Sequence, residues 1–143
     1  MELSGDKTNL TVTRWVPLTP EQVWAAYTTP ELFHRFFSPQ GLSIPIEKLT
    51  LEMHVGGTVE FTMVVDETGE EHHNHGICTL VEAPHRMAFH EDAWDMTSTQ
   101  SFTPENGGTR ITVEQVGVPV EFVSPEVDGA FQSCWDKLEA LYA

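Results

Sequence analysis

Basic residues are scarce in this chain. Lysine and arginine number 7 against 22 aspartates and glutamates, a formal charge of −15. A surface of that sign repels phosphate backbones and anionic lipid headgroups, so neither nucleic acid nor a membrane is an expected partner. Long apolar runs are missing too: no stretch approaches the ~20 residues of a membrane span. The segment Met1 to Asn9 lacks the basic and apolar regions of a secretory signal, and a cytoplasmic protein is expected. Cysteine is limited to Cys78 and Cys134, far apart and outside any Cys-x-x-Cys pair. They read as two buried, reduced thiols. Neither a Gly-x-Ser-x-Gly elbow nor a phosphate-binding glycine loop occurs. Internal repeats, low-complexity tracts and linkers are absent as well. At 143 residues the chain has the commonest single-domain size, and one domain over 1–143 is expected.

What is present is an order of elements. Residues 8–16 alternate and are rich in Thr and Val, as a strand requires. Thr19-Pro20-Glu21-Gln22 is a helix start, with Thr19 as cap, Pro20 in the first turn and Gln22 closing a capping box. Thr29-Pro30-Glu31 repeats the signal at once. Leu32, Phe33, Phe36 and Phe37 then recur at helical spacing. A strand is expected near Ile44 to Met53, broken early by Pro45, and Val55-Gly56-Gly57-Thr58 reads as a turn. Thr58 to Asp66 alternates, with Val59, Phe61, Met63 and Val65 on one face. Further strands are expected over Glu71 to Glu82, Arg86 to His90, Trp94 to Thr103 and Thr109 to Val116. Glu67-Thr68-Gly69-Glu70 and Asn106-Gly107-Gly108 read as hairpin turns. A last helix starts at Ser124-Pro125 and carries Val127, Phe131, Trp135, Leu138 and Tyr142 along one stripe. Gly129 interrupts it, where a glycine would let the helix approach the sheet closely. A sheet cannot bury a face alone, so this closing helix must cover one. The class is α+β.

These segments, in this order, resemble a known family. Pro20-x-x-Val23-Trp24-x-Ala26-x-Thr28-x-Pro30-Glu31 looks like its first helical pair, and Val55-Gly56-Gly57 like its glycine turn. Gly76 followed by Pro84-x-Arg86-Met87 looks like its next strand and corner. Phe102 with Gly107-Gly108-Thr109-Arg110-Ile111-Thr112-Val113 looks like its late hairpin, and Trp135-Asp136-Lys137-Leu138 lies in its closing helix. The family is that of activator of heat-shock-protein-90 ATPase homologues, within the START-like (SRPBCC, birch-pollen-allergen-like) superfamily. The resemblance implies a helix-grip fold: a bent antiparallel sheet wrapped around the C-terminal helix, with two short helices after the first strand and a cavity between. It transfers no catalytic motif. The chain departs from the pattern at Phe36, at Ala130-Phe131 and at Trp135, and the bulky rings of Phe131 and Trp135 imply a small or partly filled cavity.

The candidate lining follows from strand parity and helix stripes: Phe33, Phe36, Phe37, Phe61, Met63, Trp94, Met96, Phe102, Phe131 and Trp135. Met and aromatic residues suit an adaptable apolar pocket. Gln100 shares parity with Met96 and Phe102, and Gln115 with Ile111 and Val113. A buried amide needs a partner, so either can orient a ligand. His75 is the candidate inward histidine of His72-His73-Asn74-His75. A metal held by His73, His75 and His90 lacks carboxylate or cysteine support at ligand spacing. Glu91, Asp92 and Asp95 read as a solvated turn rather than an acid–base pair. The expected function is binding of a small hydrophobic or aromatic molecule, without catalytic residues, metal or cofactor. The alternatives are a module that binds a protein partner or a second copy of itself, regulating a chaperone or stress response, and a cyclase- or hydrolase-type enzyme.

Overall fold

Alternating threonine and valine start the fold: strand β1, Lys7–Val16, exposes Thr11 and Thr13 and buries Val12 and Val16. The structure, a computed structural model, describes residues 5–143. Pro17 ends β1, and helix α1 (Pro20–Thr28) opens with the expected capping box. The Gln22 amide donates to Thr19 Oγ1 at 3.1 Å, and the Thr19 amide donates to Gln22 Oε1 at 2.8 Å. Helix α2 (Pro30–Phe36) follows directly. Of the strand expected over Ile44 to Met53 only β3 (Leu49–Leu51) forms; β2 (Leu42–Ser43) precedes that span, and a 3-10 turn at Ile46–Lys48 makes the division between β2 and β3. Pro45 causes the division, since it has no N–H for a ladder and presets the turn.

Strands β4 (Thr58–Val65), β5 (Glu71–Glu82), β6 (Arg86–Glu91), β7 (Met96–Glu105) and β8 (Gly108–Pro119) then form a meander. The β7–β8 hairpin turns through Asn106 and Gly107, both at positive φ (48° and 77°). That is the twist-matched geometry an Asn-Gly pair supplies. The sheet order is β1-β8-β7-β6-β5-β4-β2, with antiparallel pairing throughout and β3 also on β4. The sheet curls into a half-barrel, and α3 (Pro125–Leu141) packs against β1 and α2.

Register aligns the inward side chains in rows. Phe102 faces Ile111, and Ile111 faces Arg14. The next row is Met87, Gln100, Val113 and Val12; the one after is Phe89, Ser98, Gln115 and Leu10. Glu91 faces Met96 in the last. Gln100, Ser98, Gln115 and Glu91 thus break an otherwise largely apolar inner face at successive rows.

Helix α3 is clasped on both flanks. Arg14 of β1 donates to Asp136 Oδ1 (2.7 Å), to the Gln132 carbonyl (2.9 Å) and to Glu139. Lys137 donates to the carbonyls of Ser38 (2.8 Å) and Pro39 (3.2 Å) in the loop after α2 and of Leu42 (3.2 Å) in β2. Gly129 departs from its expected role. It faces outward, and a Cβ there would meet nothing within 4 Å, so it does not serve close approach to the sheet.

Candidate ligand cavity

Between the inner face of the sheet and α3 lies a cavity of about 330 Å³. Tyr27, Phe33, Phe37 and Pro39 close one side; Val59, Phe61 and Met63 of β4 form the next. Phe89, Glu91, Met96, Ser98, Gln100 and Gln115 form the floor, and Val127, Ala130, Phe131, Cys134 and Trp135 form the roof. The rings support one another. Phe33 stacks on Phe37 with centroids 4.5 Å apart, and Phe37 meets Phe61 edge-on at 5.7 Å. Phe131 and Trp135 tilt together at 5.7 Å. Both rings border the space from the side of the helix.

Of the expected lining residues, Phe33, Phe37, Phe61, Met63, His75, Met96, Gln100, Phe131 and Trp135 border this cavity. Phe36, Phe102 and Trp94 do not. Phe36 and Phe102 are fully buried in the core, each against Tyr27 with centroids 5.1 Å apart. Tyr27 thus takes the wall position in front of them. Trp94 lies in the turn before β7, not in the strand, because Asp95 adopts φ 50° and β7 begins at Met96. Its ring is 39% exposed and packs edge-on against Phe122 at 4.7 Å.

His75 borders the cavity from the register position opposite Glu60, on the other face from Phe61. Its ring is 41% exposed, with Nδ1 3.7 Å from Asp92. Its side chain therefore does not point inward as expected. His73 likewise meets Glu60 at 3.1 Å and Thr62 Oγ1 at 3.1 Å. His90 bonds Asp95 at 2.8 Å, and that contact holds its pKa above the ordinary value. Among the described residues no group of three or more His, Cys, Asp or Glu is placed to hold a metal.

Polar groups interrupt the apolar wall. The Trp135 indole N–H donates to the Tyr27 hydroxyl at 3.1 Å, and burial pushes the Tyr27 pKa up. Gln100, 4% exposed, donates from Nε2 to Ser98 Oγ at 2.7 Å, while its Oε1 has no partner among the described residues. Gln115 stands opposite Ser98 in register. Glu91 was missed by the sequence reading, which placed it in a solvated turn. It is the last residue of β6, and burial raises its pKa. The signal was available: Met87, Phe89 and Glu91 share one strand parity. The Cys134 thiol in the roof is pushed by burial to about 12 and stays protonated. A protonated thiol is a poor nucleophile, which argues against covalent chemistry there.

A half-barrel sheet around a C-terminal helix, with an apolar hollow between them, defines a helix-grip protein of the START-like class. The chain belongs to the family of Activator of Hsp90 ATPase homolog 1-like proteins, whose pattern it matches over residues 17–143. Among solved structures, a protein from Chromobacterium violaceum superposes with TM-score 0.85 at 21% identity, covering 94% of this chain and 96% of that one. A Rhodobacter sphaeroides protein gives 0.82 at 23% identity, covering 97% and 94%. An Activator-family-like protein from Aeromonas hydrophila gives 0.79 at 19% identity, covering 93% and 90%. At these identities the likeness concerns the fold. No curated protein matches this chain.

Proposed function

We propose that the protein reversibly binds a small hydrophobic or aromatic molecule in this cavity. The carrying observation is the hollow of about 330 Å³ between sheet and helix, walled by Phe33, Phe37, Phe61, Met63, Phe131 and Trp135. At ~30 Å³ per water, that space equals about eleven waters, which suits a molecule of one or two rings. Apolar burial supplies the affinity, at ~0.3 to ~1.5 kcal/mol per ligand atom, so dissociation constants near the micromolar range are expected.

The test is native mass spectrometry and thermal shift with a panel of one- and two-ring aromatics, terpenoids and short lipids. Wild type should gain several degrees with at least one class. Ala130→Trp, which fills the roof, should abolish the gain. A panel without any shift, or shifts that survive Ala130→Trp, would sink the reading.

A second reading, a module docking on a chaperone or another protein, draws on the family's name and on exposed Trp94 beside Phe122, near Val120 and Val123. It predicts that Trp94→Ser abolishes chaperone binding and leaves ligand-induced thermal shifts intact.

A further inference from the structure

We infer that the cavity selects a neutral aromatic molecule bearing a hydroxyl, which meets Gln100, and that it discriminates against carboxylates. The inference rests on the ligand-binding reading above and names its substrate class.

Gln100 carries the argument. Its side chain is buried and borders the cavity, yet only one end of its amide is bonded, to Ser98 Oγ at 2.7 Å. The other end, Oε1, has no partner among the described residues. Buried polar groups are almost always paired, so an orphan on a cavity wall marks the place of a missing partner. The neighbours extend the mark into a strip. Ser98 lies two residues along β7 from Gln100 and directly opposite Gln115 in register, and both border the same hollow.

A hydroxyl is the group that fits this strip in every arrangement. The amide can turn end for end, because the Ser98 hydroxyl can accept from Nε2 or donate to Oε1. The end left over is then an acceptor or a donor. A hydroxyl answers both, whereas a carboxylate answers only the donor. A carboxylate meets further opposition. No lysine or arginine borders the cavity, and Glu91 adds a carboxyl to its wall. The basic group nearest, His75, has its ring drawn to Asp92 instead. An anion would lose its hydration without gaining a counter-charge. The remaining wall, from Phe33 and Phe61 to Phe131, takes an aromatic body.

Equilibrium dialysis with naphthalene, 2-naphthol and 2-naphthoate at neutral pH tests this. One well-made hydrogen bond to a buried orphan corresponds to about tenfold in affinity. Wild type should therefore bind 2-naphthol about tenfold tighter than naphthalene, with 2-naphthoate weakest. In Gln100→Leu and Gln100→Met the preference should shrink to about twofold, with naphthalene binding kept or improved. Both variants remove an orphan acceptor, so their melting temperatures should hold or rise. Ala130→Trp should abolish binding of all three probes. Equal binding of naphthalene and 2-naphthol, a preference that survives both Gln100 variants, or tightest binding of 2-naphthoate would overturn the selection alone. Failure of every probe to bind would overturn this inference; binding that persists in Ala130→Trp would overturn the ligand-cavity reading and this inference with it.

Discussion

Two polar groups in the cavity wall behave in opposite ways, and the difference lies in their partners. The Trp135 indole N–H is satisfied by the Tyr27 hydroxyl oxygen, to which it donates at 3.1 Å. Tyr27→Phe keeps the ring against Phe36 and Phe102 but leaves a buried indole N–H without an acceptor. The loss should be about 1–3 kcal/mol, the cost of an unsatisfied buried donor. Urea unfolding would read it as a lower midpoint at unchanged slope, and an unaltered midpoint would show that the bond contributes nothing. Gln100 is already in the unsatisfied condition that this variant would create. A fold tolerates such a group where function uses it. Under the proposed function, that contrast puts the ligand's polar end at Gln100 rather than at Tyr27.

Helix α3 is two structures in one element. Its C-terminal half is fixed by buried Trp135 and Leu138 and by the Arg14 and Lys137 clasps. Its N-terminal half carries Val127, Ala130 and Phe131 over the cavity and lacks a side-chain cap bond from Ser124. Gly129 sits in that half, exposed and with open space around it. Gly129→Ala should therefore stabilise the protein by about 0.5–1 kcal/mol, through helix propensity and a less entropic unfolded chain. Hydrogen exchange should slow at amides of the first two turns of α3, and ligand dissociation should slow with them. Unchanged exchange there would show that Gly129 does not set the local stability of this half of the helix.

Much of this arrangement was legible in local chemistry. Thr19 with Gln22, Asn106 with Gly107, and the parity of Phe61 with Met63 each act within a few residues, and each formed as expected. What sequence could not separate was core from cavity wall. Phe36 and Phe37 are adjacent on one apolar run, but only the position of Tyr27 decides which of them meets the hollow. Trp94 and Glu91 failed at strand ends, where one residue of boundary error changes a side chain's environment.

At the scale of the whole molecule, charge decides the response to pH. With 22 acidic and 7 basic residues, self-repulsion grows as the carboxyls ionise. Two individual groups act in the same direction. Burial raises the Glu91 pKa, and its register neighbours, Gly76 and Met96, offer no cation. Between the ordinary carboxylate pKa of ~4.3 and that raised value, the native state binds more protons than the unfolded chain. Stability therefore falls as pH rises through this window, and the full penalty stands above it. His90, raised chiefly by its bond to Asp95, adds stability at acid pH that is lost as pH rises through its native pKa. Asp95 works the other way: its pKa is lowered by His90 and Lys7, so its share is lost as pH falls. Glu91→Gln isolates one term from this sum. The variant should match wild type most closely below the unfolded carboxylate pKa, gain on it through the window and hold a constant advantage above. Urea unfolding across pH 4 to 8, an interval set around the ~4.3 of an ordinary carboxylate, would trace that difference. Parallel curves would show that Glu91 keeps an ordinary pKa and is solvated, which would return it to the turn where its sequence neighbours Asp92 and Asp95 lie.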